Sequence, residues 1–424
     1  MQRLRSVQHS LPKEYYGNQQ GLFQCKGISC RVLQGYRFVY RVRDVRGHMS
    51  GQRDYCGKGV KVSVERMLMK GNEAIAEAAI RAGCRAYFGY PITPQNQIPE
   101  YMSKRMPEVE GGVFIQAESE VAAINMVYGA AGAGVRSMTS SSSPGISLKQ
   151  EGISYIACAE LPCLIVNIMR SGPGLGGILP SQGDYFQATK GGGHGDYHMI
   201  VLAPASVQEA ADLVRDGFDM ADEYRIPVML LGDGMIGQMM EPVSFPDEPA
   251  NKIYEKKWAA NGWQDKSRER NIINSLYIEA EEMSAVNRIL KEKYEEIIRK
   301  EIRVEEFMTG DAEYIVTAFG TVARIAKNAV LKAREKGVKA GVIRPITLWP
   351  FPKETFRKLH GRVKGILTVE MNQGQMLEDV CLSARKDIPV SFFGTCGGII
   401  PSADQILREI LLMKDGRKND DHSI

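Results

Sequence analysis

The sequence predicts an α/β protein built on a largely parallel sheet, and three observations predict it. From about Met67, short apolar runs alternate with amphipathic stretches of helical length, the pattern of strands joined by crossover helices. Each apolar run ends in Gly, Pro, Ser or Thr before the helical period begins. The 424 residues are 44% hydrophobic and 25% charged, ordinary globular composition with length enough for two cores.

Taken in order, residues 1–66 hold 13 Lys+Arg against 4 Asp+Glu while the whole chain is only +4, so the basic character belongs to the N-terminus. This segment lacks both the dense basic cluster of a nucleic-acid arm and the apolar stretch of a secretory signal. It reads as a basic extension, disordered or outside the native chain, with Met67 or Met69 as a start. Strands are expected at Ala86 to Tyr90, Val113 to Gln116, Arg136 to Ser140, Cys163 to Met169, Met199 to Ala203 and Val228 to Leu231. Ser206 and Glu209 form a capping box ahead of a helix ending at Tyr224. This first block runs over 67–250. Residues 251–312 are rich in Lys, Glu and Arg, carry a helical period from about Asn274 to Arg303, show no strand, and read as a charged helical linker. A second α/β block over 313–415 begins with Tyr314 to Phe319, continues through a helix to Lys336, and has strands near 341–343, 366–369 and 390–393; a tail follows at 416–424.

Several functions are excluded. No window reaches the ~18 apolar residues of a membrane span, since Cys163 to Met169 contains Asn167 and meets Arg170. The eight cysteines form no C-x-x-C, so neither a zinc ribbon nor an iron–sulfur binding run is encoded, and they read as reduced thiols of a cytoplasmic protein. The P-loop and the dinucleotide G-x-G-x-x-G are absent. His194 and His198 have helical metal-ligand spacing, but the surrounding glycines argue against a helix, and no metal site is expected.

In an open α/β sheet ligands bind beyond the carboxyl ends of the strands, so the loops there are the places to look. In Tyr90-Pro-Ile-Thr-Pro94, Thr93 followed by Pro94 is either a helix cap or a hydroxyl fixed toward a ligand by the flanking prolines. Gln116-Ala-Glu-Ser-Glu120 ends in a carboxylate that abuts an apolar helix; Glu120 is the acid placed to be partly buried and to handle a proton, with stabilisation by the helix dipole as the plainer account. The loop Thr139-Ser-Ser-Ser-Ser-Pro-Gly145 offers small side chains and backbone amides at a helix start. Arg170 stands at a strand end before Ser-Gly-Pro-Gly-Leu-Gly-Gly177, a natural fork for a carboxylate. Gln182-Gly-Asp-Tyr185 and the segment Lys190 to His198 form a polar stretch with the length of a lid or interface loop.

Together, in this order, Tyr90-Pro-Ile-Thr-Pro94, the Glu120 helix, the Ser-rich loop with Pro144-Gly145, Arg170 before Gly-Pro-Gly, and Gly192-Gly-His-Gly-Asp196 resemble the α-type subunit of 2-oxoacid:ferredoxin oxidoreductases. Pro173-Gly-Leu-Gly-Gly-Ile-Leu-Pro-Ser-Gln182 followed by Tyr185-Phe-Gln-Ala looks most like the branched-chain, 2-oxoisovalerate type, with the pyruvate and 2-oxoglutarate enzymes as close relatives.

The resemblance implies a pyrimidine-type thiamin diphosphate-binding domain over 67–250 and a transketolase C-terminal-like domain over 313–415. It implies that Glu120 hydrogen-bonds the cofactor pyrimidine and favours the imino tautomer, that Ser142, Pro144 and Gly145 help bind the cofactor, and that Thr93 and Arg170 hold the substrate carboxylate. It further implies a β-type partner carrying the diphosphate and its Mg2+, a γ-type subunit, a ferredoxin-like δ-type subunit, [4Fe-4S] clusters on partner subunits only, external ferredoxin as acceptor, and coenzyme A as co-substrate. Neither nucleic acid nor membrane is an expected partner. Two rivals stay open: a subunit that passes its acyl group to a lipoyl domain, and a noncatalytic scaffold of the same fold.

Overall fold

A computed structural model describes residues 66–246, 252, 254–263 and 266–416, with a two-residue antiparallel pair, Gln24–Cys25 and Ile28–Ser29, before them. The expected extension over 1–66 and the tail beyond Gly416 otherwise lie outside the described residues. The chain divides into two units, Met1–Met67 and Leu68–Ile424, and the second holds both predicted α/β blocks.

A large sheet of seven strands has the order Thr347–Trp349, Ile200–Leu202, Pro227–Asp233, Cys163–Met169, Ser137–Ser141, Ala86–Gly89 and Val113–Gln116. Its last six strands are parallel, and only Thr347–Trp349 runs against its neighbour. Every residue of Cys163–Met169 and of Pro227–Asp233 is buried, as expected where helices cover both faces of a parallel sheet. A second sheet has the order Val304–Phe307, Ala340–Pro345, Tyr314–Thr317, Gly365–Glu370 and Val390–Gly394, parallel except for its first strand. The apolar core runs between the sheets, with Ile165, Tyr185 and Val201 from one block packed in the same cluster as Phe319, Ile343 and Met376 from the other.

The expected strands agree with the structure to within two residues, but four strands escape the pattern: Arg66–Lys70 and Met240–Ser244, which pair with each other in a small sheet, and two edge strands of the larger sheets. Val304–Phe307 lies in the stretch expected to have none, because its two glutamates disguise an edge strand: Glu305 pairs with Arg344 at 2.6 Å and with Lys327. Thr347–Trp349 is only three residues long, and its partner Ile200–Leu202 is 145 positions earlier, so no local pattern marks it. The helix of the charged segment is Ala280–Lys300, shorter than its period suggested. Ser206 caps its helix as expected, accepting from Glu209 N at 3.1 Å. The Glu209 carboxylate, however, accepts from Ala205 N and forks onto Arg344 at 2.7 and 2.9 Å, so the box is opened to tie one block to the other.

Candidate active site

The site is built at the carboxyl ends of the central strands of the large sheet. After Ala86–Gly89 comes the Tyr90 to Pro94 loop. Its anchor is a buried chain in which Tyr87 Oη lies 2.7 Å from Ser140 Oγ and Ser140 Oγ donates to Gln95 Oε1 at 2.5 Å, fixing the loop to the next strand. Asn72 and Gln238 both donate to the Pro94 carbonyl, at 2.8 and 2.9 Å. Thr93 does not cap the following helix, which begins at Gln97 after Asn96; its hydroxyl is left exposed, with a 3.4 Å contact from Asn96 Nδ2. Of the two readings of Thr93, the helix cap is therefore removed.

Ser119 caps the helix Glu120–Gly132, accepting from Ala122 N at 3.1 Å, so Glu120 is its first residue. Glu120 is 6% exposed while Glu118 on the same loop is exposed. Facing it is the start of the helix Ser143–Cys158. A Cβ built at Gly145 would stand 2.6 Å from Glu120 Oε1 and 2.0 Å from Ser141 Oγ, contacts that no side chain tolerates. Ser142 occupies the N-cap position of that helix without making a cap, and Pro144 fills its first turn. The hydroxyls of Ser141 and Ser142 are buried with no hydrogen-bond partner in the protein. Buried orphan hydroxyls carry a desolvation penalty of about 1–3 kcal/mol each unless something binds them. A buried carboxylate, the Ser141 hydroxyl and a side-chain-free backbone thus meet at Gly145, with the second orphan hydroxyl, Ser142, at the start of the same helix, a set of groups that fits a flat polar ring with donors and acceptors on its edge.

Two residues not singled out as site residues in the sequence hold this arrangement. Asn167, the polar break in an apolar strand, accepts from Ser143 N at 3.2 Å and donates to Asp184 at 2.9 Å. Asp184 also accepts from Ser143 Oγ at 2.6 Å, and burial pushes its carboxyl above the usual carboxylate range. A polar residue inside an otherwise apolar strand is the signal for Asn167, and Asp184 lies in the polar segment Gln182-Gly-Asp-Tyr185, which marks the region without marking the residue.

Arg170 follows the strand Cys163–Met169 and is buried, its guanidinium donating to the Thr93 carbonyl at 3.0 Å and to the Leu175 carbonyl at 2.9 Å, with Nε buried and unpartnered. The structure brings Arg170 and Thr93 together. It also places Thr93 on the wall of a cleft of about 630 Å3 lined by Pro94, Ile178, Leu179, Met235 and Met239. The second block closes this region from behind: Gln182 accepts from Met371 N and donates to the carbonyls of Met371 and Phe319, and Asn372 donates to the Gln182 carbonyl at 2.8 Å.

The 190–198 loop is no free lid. Gly193 N donates to Tyr197 Oη and Ser154 Oγ donates to the His194 carbonyl at 2.7 Å, which fastens it to the Ser143–Cys158 helix. His194 meets Tyr155 whereas His198 stacks on Trp349, so they share no ligand position. Among the described residues no group of three or more His, Cys, Asp or Glu gathers to hold a metal, and no helix is long and apolar enough to cross a membrane.

The model of the thiamine diphosphate-binding region of pyruvate flavodoxin/ferredoxin oxidoreductases matches residues 77–307, and that of core domain II of pyruvate:ferredoxin oxidoreductase matches 312–406. The chain belongs to this oxidoreductase family. Within it, the chain is 49% identical to the ketoisovalerate oxidoreductase subunit VorB of Methanothermobacter marburgensis over 81% of its length and 96% of the relative's. It is 38% identical to the 2-oxoglutarate synthase subunit KorA of Methanothermobacter thermautotrophicus, over 82% and 99%. Among solved structures, the 2-oxoglutarate:ferredoxin oxidoreductase from Magnetococcus marinus, with 2-oxoglutarate, coenzyme A and succinyl-CoA bound, superposes with a TM-score of 0.74 at 25% identity. That likeness covers 82% of this chain and 65% of the other, so the chain spans about two thirds of the solved relative. The oxidoreductase family carries thiamine diphosphate in the region that here contains Glu120, Ser142, Pro144 and Gly145.

Proposed function

We propose that this chain is the pyrimidine-holding subunit of a 2-oxoacid:ferredoxin oxidoreductase that converts a branched-chain 2-oxo acid and coenzyme A to acyl-CoA and carbon dioxide. The observation that carries the reading is the meeting of Glu120 with bare backbone at Gly145 beside the orphan hydroxyls of Ser141 and Ser142. Thiamin diphosphate, when bound, supplies the electron sink that lets the carboxylate leave as carbon dioxide. Glu120 holds and returns a proton at the pyrimidine ring nitrogen, shielded from water by its own burial. Ser142, Pro144 and Gly145 would help to hold that ring at the start of the helix Ser143–Cys158. Thr93 and Arg170 hold the substrate carboxylate through a hydroxyl and a guanidinium, the guanidinium already tied to the Thr93 carbonyl, so little ordering of Arg170 remains to be done on binding.

The balance is one 2-oxo acid anion and one thiol consumed, one thioester, one carbon dioxide and one proton formed, and two electrons passed to ferredoxin. Those electrons, the diphosphate and its Mg2+ belong to partner subunits of β, γ and ferredoxin-like δ type. The branched-chain assignment is supported by the higher identity to the ketoisovalerate subunit than to the 2-oxoglutarate subunit, and by the apolar lining of the cleft beside Thr93.

The test is reduction of a viologen dye by the complex recovered through a C-terminal tag on this chain, with and without coenzyme A, on 2-oxoisovalerate, pyruvate and 2-oxoglutarate. Coenzyme A-dependent reduction fastest with 2-oxoisovalerate is expected. A different best substrate discards the branched-chain assignment, and no reduction by an intact, cluster-bearing complex discards the reaction.

A further inference from the structure

On the helix Ser143–Cys158, Lys149 lies one turn beyond Gly145, so the two positions share the face turned to Glu120. The Lys149 side chain is completely buried, and its Nζ donates to Thr139 Oγ1 at 3.0 Å. An ammonium with three donors gives up its hydration in such a place and needs a counter-charge as well as an acceptor. The counter-charge is Glu120: burial pushes the Lys149 ammonium down to about 8, and the Glu120 carboxylate acts in the opposite direction.

Around the pair stand Ser141, whose hydroxyl meets the same Gly145 position as Glu120, Thr139 on the same strand Ser137–Ser141 against Lys149, and, on the neighbouring strand Ala86–Gly89, the Tyr87 phenol bonded to Ser140. Burial pushes that phenol well above its ordinary value, so it stays neutral. Glu118, the other acid of the loop, is exposed.

We propose that Lys149 is a positioning residue for Glu120, a buried cation seated on Thr139 that serves as counter-charge to the neighbouring carboxylate and holds it in place to meet the cofactor pyrimidine. The inference rests on the thiamin diphosphate reading above. With the ammonium in place, the buried carboxylate has a fixed cation beside it. Without it, a buried charge is left unpaired and the carboxylate is free to turn away from the ring.

The experiment uses the assembled complex carrying Lys149→Met, an apolar side chain of similar length. Two quantities are measured: kcat/KM for the 2-oxo acid, and the Kd of thiamin diphosphate by calorimetry on the cofactor-stripped complex. The expected result is a loss of about tenfold in both, the size of a coupling between contacting groups. In a Glu120→Gln background, Lys149→Met adds no loss. Unchanged values in a folded complex, or the same loss without Glu120, overturn the proposal. If Lys149→Met does not assemble, recovery of assembly by adding Glu120→Gln supports the pairing and its failure overturns it. A wild-type complex that neither binds thiamin diphosphate nor reduces dye sinks the functional reading instead. The pairing is then read from the same double-mutant cycle in Tm, where zero coupling rejects it.

Discussion

Gly145 meets Glu120 with bare backbone: a single added carbon at 145 would come within 2.6 Å of the carboxylate. Gly145→Ala must therefore push Glu120 aside or shift the helix Ser143–Cys158. Overpacking of this kind costs about 1–3 kcal/mol of stability. The larger effect is on turnover, because a displacement of about 1 Å at a reacting group costs about 100-fold. The expected outcome is a complex that assembles, melts a few degrees lower and loses most of its kcat. Wild-type kcat in Gly145→Ala would show that the contact does not matter to the chemistry.

Glu120→Gln keeps size and burial while removing the charge and the ability to exchange a proton. Positioned acid–base groups contribute about 100-fold or more. Assembly is expected to survive and dye reduction to fall by at least that factor, read from initial rates at saturating 2-oxo acid. A rate close to that of the unaltered complex would take Glu120 out of the mechanism.

How much of this was legible follows from where the information lies. Glu120 and Arg170 follow apolar strands, so periodicity alone places them on one edge of a sheet, whereas the Ser-rich segment, expected as a loop from Thr139, carries its strand on to Ser141. The packing of Gly145 on Glu120, and the burial of Lys149, depend on two helices meeting across 25 residues of chain, which no local pattern encodes. Thr93 shows the limit from the other side: Thr-Pro is a good helix start, yet the bonds from Asn72 and Gln238 to the Pro94 carbonyl spend that turn elsewhere. Edge strands were missed for the same reason, since the residues of Val304–Phe307 that look unfit for a strand are satisfied by Arg344 and Lys327.

Arg170→Lys tests the substrate fork. The guanidinium spends two nitrogens on the carbonyls of Thr93 and Leu175 and keeps Nε for a further partner. A lysine supplies a point charge that cannot make this planar set of bonds. KM for the 2-oxo acid is expected to rise about tenfold, with a smaller change in kcat, since the interaction is made with bound substrate as well as at the transition state. An unchanged KM would mean that the side chain serves only the loop.

The turn that joins the blocks carries its own pH dependence. Glu370, buried at the end of Gly365–Glu370, accepts from Met376 N at 2.9 Å, Leu377 N at 3.0 Å and Asn372 Nδ2 at 2.8 Å, and Asn372 in turn holds the Gln182 carbonyl. Burial outweighs these bonds and pushes the carboxyl from 4.5 up to about 7. The sign follows from proton counting. Between pH 4.5 and 7 the folded state holds a proton that the unfolded chain has released, so this group's contribution to stability is complete below 4.5 and declines as pH rises to 7. The full difference is about 3 kcal/mol. Glu370→Gln cannot titrate, so the fall in Tm between pH 5 and pH 8 is expected to be smaller in that variant than in the unaltered protein. Parallel Tm profiles for the two would show that Glu370 does not carry this proton.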